Sequence, residues 1–272
     1  MQKIIELTNK YIVLTTPLIL YSLFSSIYIT ISVNGGKLIN LIFAVLLFFL
    51  MTGAFFAGWF NMIKLAITNQ NRDYSNSLLK EFISGVGEYF LPSLVGVLVI
   101  FIISVLALII SYHIGMQIIG DLGIPADVLS SIKSHTIDPK TFITGLSAEQ
   151  LIKINLWNLL VLANIAIAYF LCFLYMPALF LKNKNPIIAF WISLKDLFSK
   201  KIFHSFGIFI SIFVLNFLIS MFSTIFSENL FIHFILTLLN FYFITAVGVG
   251  VFYYYYNNFV NNKLGQNVDI EI

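Results

Sequence analysis

Six runs of mostly apolar residues, each long enough to cross a bilayer, leave this chain little choice of fold. A helix rises about 1.5 Å per residue, so about 20 apolar residues span the hydrocarbon core. Residues 11–33, 38–67, 91–117, 154–181, 205–226 and 230–260 meet that requirement. The sequence therefore reads as all-α, a polytopic transmembrane helical bundle of about six spans forming one integral membrane domain over 1–272. Composition agrees, because the chain is 60% hydrophobic and only 10% charged, against about 25% charged for a soluble domain. Mean hydropathy is +0.96. That leaves too little charge to wet a globular surface, and the scarcity of aromatic–basic clusters outside the apolar runs argues against a nucleic-acid partner.

The first run is too long for the h-region of a signal peptide, about 7–15 residues, and no small-x-small cleavage site follows it. It is read as a retained span. Pro17 falls in its first turns. Pro92 opens the third span, where a first-turn proline costs little, and Pro177 interrupts the fourth near its end.

Charge then sets orientation. With the N-terminus, the connections at 68–90 and 182–204 and the C-terminus inside, that side holds Lys3, Lys10, Lys64, Arg72, Lys80, Lys182, Lys184, Lys195, Lys200, Lys201 and Lys263. The other side holds Lys37, Lys133, Lys140 and Lys153. Eleven against four favours both termini inside by the positive-inside rule. The long outer connection is 118–153, with a turn signal at Asp138-Pro139, a short helix expected from Pro125 through Lys133, and a capping box at Ser147 and Gln150.

Two segments are neither apolar enough to span nor polar enough to float free. In 75–90, Leu78, Leu79, Phe82, Ile83, Val86, Tyr89 and Phe90 recur at helical spacing, with Lys80, Glu81 and Glu88 between them. In 186–203, Ile187, Phe190, Trp191, Leu194, Leu197 and Phe198 form the stripe, opposite Lys195, Asp196, Lys200 and Lys201. Both are read as amphipathic helices on the inner face. Two placements fit such a stripe: in the acyl boundary with cations at anionic headgroups, or against the ends of the spans. The expected lipid or partner surface is Lys80, Trp191, Lys195, Lys200 and Lys201. The order span, amphipathic helix, span occurs twice, which suggests a parallel repeat.

Chemistry is sparse. No ionisable residue lies near a span centre, which weighs against a carboxylate relay or an intramembrane protease. No zinc-protease, phosphate-loop or nucleophile-elbow motif occurs. Cys172 stands alone, so neither a disulfide within the chain nor a cysteine metal site can form. His113, His135, His204 and His233 are scattered without paired spacing. No catalytic residue, cofactor or metal is expected. Asn61, Asn158, Asn164, Asn216 and Asn240 fall inside spans, where they either line a polar path or bond neighbouring helices together. Gly53/Ala57, Ala54/Gly58 and Ala246/Gly250 are small-residue pairs that let helices approach. Gly85 and Gly87 are expected to loosen the first amphipathic helix. Tyr253–Tyr256 reads as an aromatic belt at headgroup depth.

Short residue patches add a family likeness. Span two carries Gly58-Trp59, followed by Glu81-Phe82-x-x-Gly85, and Asn185-Pro186-x-x-Ala189-Phe190-Trp191-x-Ser193 precedes span five. The chain resembles uncharacterised bacterial six-span membrane proteins, loosely similar to the membrane domain attached to some glycerophosphodiester phosphodiesterases. No soluble phosphodiesterase domain is present, so the resemblance implies a multi-pass protein of the bacterial cytoplasmic membrane and no catalytic activity. The expected role is a non-catalytic membrane-organising, lipid-interacting or accessory protein, partnered by the bilayer and by another protein or a second copy. The alternative is a transporter or permease component for a lipid-like or weakly polar solute.

Overall fold

The structure, a computed structural model, describes residues 2–33, 38–69, 77–121, 146–226 and 229–261. In chain order these form α1 (Gln2–Lys10), a 3-10 turn (Ile12–Leu14), α2 (Thr15–Val33), α3 (Leu38–Thr68) and α4 (Leu78–Ile118). Then come α5 (Ala148–Leu171), α6 (Tyr175–Leu181), α7 (Pro186–Leu197), α8 (Ile202–Ile225) and α9 (Leu230–Tyr255), which ends in a π-helical turn over Tyr256–Val260. No strand occurs among the described residues. Six helical stretches are long and apolar enough to cross a membrane. The fold is the all-α polytopic bundle that hydropathy predicts.

The chain divides into two compact units, Met1–Val99 with Leu171–Ile272, and Ile100–Phe170. The first is built around α6. Every side chain from Leu174 to Phe180 is buried. Phe180 stacks on Tyr89 with ring centroids 4.4 Å apart and meets Phe60 edge-on at 5.6 Å. Phe60 in turn stacks on Phe252 of α9 at 5.2 Å. Such aromatic pairs add about 0.5–1.5 kcal/mol each beyond their buried area. Trp59 donates its indole N–H to the Leu14 carbonyl at 2.8 Å, which joins α3 to the 3-10 turn ahead of α2.

Close approach between α3 and α4 rests on small residues. A Cβ added at Gly85 would stand 2.5 Å from the Asn61 Cβ and 2.8 Å from the Ala57 carbonyl oxygen. A Cβ at Gly58 would stand 2.5 Å from the Phe82 ring. Asn61 seals the contact by donating its amide to the Glu81 carbonyl at 3.1 Å.

In the second unit, Asn164 of α5 donates to the Ser111 hydroxyl of α4 at 2.9 Å. The Trp157 ring lies against Gly115, and its indole N–H reaches the Gly120 carbonyl at 3.2 Å. Gly120 has φ 79° and returns its N–H to the Gly115 carbonyl at 3.0 Å, closing α4 with a left-handed glycine. The capping box forms as its spacing predicts. Ser147 Oγ accepts from the Gln150 N–H at 3.2 Å, while Gln150 Oε1 accepts from the Ser147 N–H at 3.0 Å, and α5 starts at Ala148. The short helix expected after Pro125, the turn at Asp138-Pro139 and His135 lie outside the described residues.

Five sequence expectations need correction. The first amphipathic segment is not a separate helix: it forms the opening turns of α4, which runs unbroken from Leu78 to Ile118. Gly85 does not loosen it, because that glycine serves the approach of α3 and α4 rather than a helix end. Pro92 consequently lies inside the helix, where it leaves the Glu88 carbonyl without its usual donor. The fourth span is broken earlier than expected, by a turn over 172–174, and Pro177 falls in the first turn of α6, where a proline is tolerated. The second amphipathic helix stops at Leu197 rather than 203, with a turn before α8 starts at Ile202. The two halves thus differ in build. Asn185 and Pro186 provide a start signal for α7, and no such signal sits between Phe90 and Pro92.

One element escaped the sequence reading altogether. Leu7 and Thr8 of α1 and Tyr11 just beyond it are buried, and Ile4 sits 3.5 Å from where a Gly250 Cβ would be. The spacing 4, 7, 8, 11 was the available signal. Tyr242 of α9 donates to the Asn9 side-chain oxygen at 2.7 Å, fixing the pairing of α1 with α9.

Candidate functional site

The helix α7 divides its side chains between a buried face and an exposed one. Asn185 caps it, its side-chain oxygen accepting from the Ile187 N–H at 3.0 Å and the Ile188 N–H at 3.3 Å, and Pro186 occupies the first helical position. One face carries Ala189, Ser193 and Leu197, all fully buried. The other carries Ile187, Trp191 and, in the turn beyond the helix, Phe198, which stay 63%, 66% and 59% exposed. The stripe inferred from spacing is therefore divided. Small residues let α7 pack closely, and the large apolar side chains on the far side stay mostly exposed.

The buried face is locked by charge. Lys182 Nζ lies 2.6 Å from Asp196 Oδ2, and the Tyr255 hydroxyl donates to the same oxygen at 2.5 Å. Both partners of the ion pair are only 15% exposed. Lys182 also stands 5.1 Å from the Tyr255 ring centroid and 5.7 Å from that of Phe259. A second pair joins Lys184 to Glu88 of α4. The Glu88 carboxylate, accepting a hydrogen bond from Lys184, holds that ammonium above the usual lysine range. Lys64 donates to the Tyr89 hydroxyl at 2.7 Å. These bonds draw α3, α4, α7 and the end of α9 together at the end of the first unit where lysines gather.

Of the five residues expected to meet lipid or a partner, Lys80, Trp191, Lys195 and Lys200 are exposed. Lys201 is not a free surface cation. It is half-buried and donates to the Asn258 side-chain oxygen at 2.7 Å and to the Asn258 carbonyl at 3.3 Å, because the turn before α8 brings it against the π-helical end of α9.

The five span asparagines fall to different places within the two units. Asn61 is used between α3 and α4, and Asn164 between α5 and α4. Asn158 is exposed on α5. Asn216 and Asn240 line a common space, about 440 Å³ between α8 and α9, together with Ser223, His233 and Thr237. His233 Nδ1 lies 3.5 Å from Ser223 Oγ there. His113 packs edge-on to Tyr112, and His204 lies against Tyr254. Among the described residues no three histidine, cysteine or acidic side chains gather into a metal-sized group.

The short patches quoted from the sequence prove to be packing and capping devices. Gly58, Trp59, Phe82 and Gly85 make the α3–α4 contact and its tie to Leu14, while Asn185, Pro186, Ala189 and Ser193 start and seat α7. Comparison with family models, with curated proteins and with solved structures returned no match.

Proposed function

We propose that this chain is a non-catalytic integral membrane protein acting at the bilayer surface, in a membrane-organising or accessory role, with α7 as its lipid-contacting element. One observation carries the reading. The small residues of α7 face inward, whereas Ile187, Trp191 and Phe198 face away from the protein beside the exposed Lys195 and Lys200. An apolar ridge flanked by lysines suits the boundary between acyl chains and anionic headgroups. Tryptophan is the residue most at home at that depth. The membrane is taken as a bacterial cytoplasmic one, and the eleven-to-four distribution of basic residues supports both termini inside.

A second reading, a transporter component for a weakly polar solute, draws on the cavity that Asn216 and Asn240 share. It is the lesser reading, since the other three asparagines are placed elsewhere.

Trp191 provides the test. With Trp59 and Trp157 changed to phenylalanine, the protein is reconstituted into vesicles whose lipids are brominated at different depths. Trp191 emission should be quenched, most strongly by bromines placed nearest the headgroup. Emission typical of water and indifferent to every brominated lipid would defeat the lipid-contacting reading.

A further inference from the structure

A cleft of about 740 Å³ runs between α8 and α9, closed on one side by Ile4 and Ile5 of α1. Along α8 its wall is Phe203, Gly207, Ser211 and Leu215, one face of the helix at intervals of four. From Phe203 to Leu215 is 12 residues, or about 18 Å. That matches one leaflet of hydrocarbon, about 15 Å deep. The cleft changes character along its length. Apart from Ser211, whose hydroxyl donates to the Gly207 carbonyl, its far part is apolar, whereas His204, Tyr253, Asn257 and Asn258 line the end where the lysines gather. Lys3 lies 5.7 Å from the Tyr253 ring centroid, and Lys201 is carried there by Asn258. Among the described residues no aspartate or glutamate lines the space, and Glu6, the carboxylate of α1, is exposed and not part of the wall.

We infer that this cleft holds one acyl chain of an anionic phospholipid, with the headgroup at Lys3 and the chain laid along α8 toward Leu215. The inference deepens the lipid-interacting reading, but uses a different surface from α7. Shape, polarity and charge each contribute. Room for the chain comes from glycine, since a Cβ built at Gly207 would meet nothing within 4 Å. Beyond Leu215 the seam between the same helices turns polar at Asn216 and Asn240. Amide side chains do not favour a hydrocarbon chain, so the chain stops there. An amphiphile from the leaflet on the lysine side fits both halves of that pattern, and a wholly apolar ligand does not.

The test is lipid retention. The protein is reconstituted in an equal mixture of phosphatidylcholine and phosphatidylglycerol, re-extracted in mild detergent, and its retained lipid identified by mass spectrometry. Native protein should keep phosphatidylglycerol in preference. Gly207→Phe should fill the cleft and lose that lipid, with no cost to folding because the site is open. Gly87→Phe, at another exposed glycine with nothing within 4 Å of its Cβ, should retain it. Lys3→Ser should lower the preference about fivefold while leaving some lipid bound. Retention unchanged in Gly207→Phe, or equal loss in Gly87→Phe, would overturn the inference. The α7 reading fails separately, on Trp191 emission alone.

Discussion

Replacing Gly85 by leucine is expected to force α4 away from α3 and to destabilise the purified protein by about 3 kcal/mol, the upper end of ordinary overpacking. For a chain of this size that corresponds to a fall in Tm of about 6–12 °C. The first added carbon already meets the Ala57 carbonyl oxygen at 2.8 Å and the Asn61 Cβ at 2.5 Å. The carbonyl belongs to a helix backbone and cannot swing aside, so the helices must part. Parting them also breaks the bond from Asn61 to the Glu81 carbonyl, which strands a buried amide. The control lies two residues away. Gly87→Leu places its side chain in open space and should be neutral or gain up to about 1 kcal/mol in helix propensity. Thermal unfolding in detergent, followed by loss of monodispersity, measures both. Equal melting of the two variants would mean that Gly85 is not a close-approach position.

Asp196→Ala is the second large effect, expected at about 3 kcal/mol, the low end for breaking a buried pair because some solvent still reaches it. The change leaves the Lys182 ammonium without its partner and the Tyr255 hydroxyl without its acceptor. The charge left behind accounts for most of the loss, more than the attraction removed. The double variant Lys182→Met with Asp196→Leu should therefore recover most of the stability, since replacing such a pair by apolar residues is often neutral. If the double variant melts as low as the single one, the pair contributes attraction in its own right and this account of its cost is wrong.

What the sequence made legible, and what it did not, divides along a physical line. The spans were legible because crossing a bilayer is a local demand on about 20 consecutive residues. The capping box at Ser147 and Gln150 and the start of α7 at Asn185-Pro186 are local too, and both stand where their spacing puts them. Gly85 misled because a glycine's role depends on what approaches it, here Asn61 and Ala57, some two dozen residues earlier in the chain. Lys200 and Lys201 look alike as neighbouring charges, yet Asn258, 57 positions away, binds only the second. The ion pair that seats α7 joins residues 14 apart, and its tyrosine is 59 positions further on. No periodicity foretells such partners. The stripe of α7 falls between these cases: its amphipathic spacing was visible, while the division into a buried small face and an exposed bulky one needed the fold.

The proposed topology has six crossings, with the lysine-rich ends of the helices on one face of the membrane. Single cysteines at the two ends of α8 test that most directly, in a chain where Cys172 is first changed to alanine. Ser199→Cys lies just before the helix and Leu230→Cys just after it, separated by the 24 residues of α8, about 36 Å. A membrane-impermeant maleimide applied to intact cells should label position 230 and reach position 199 only after permeabilisation. Labelling of both positions from the same side would contradict the account.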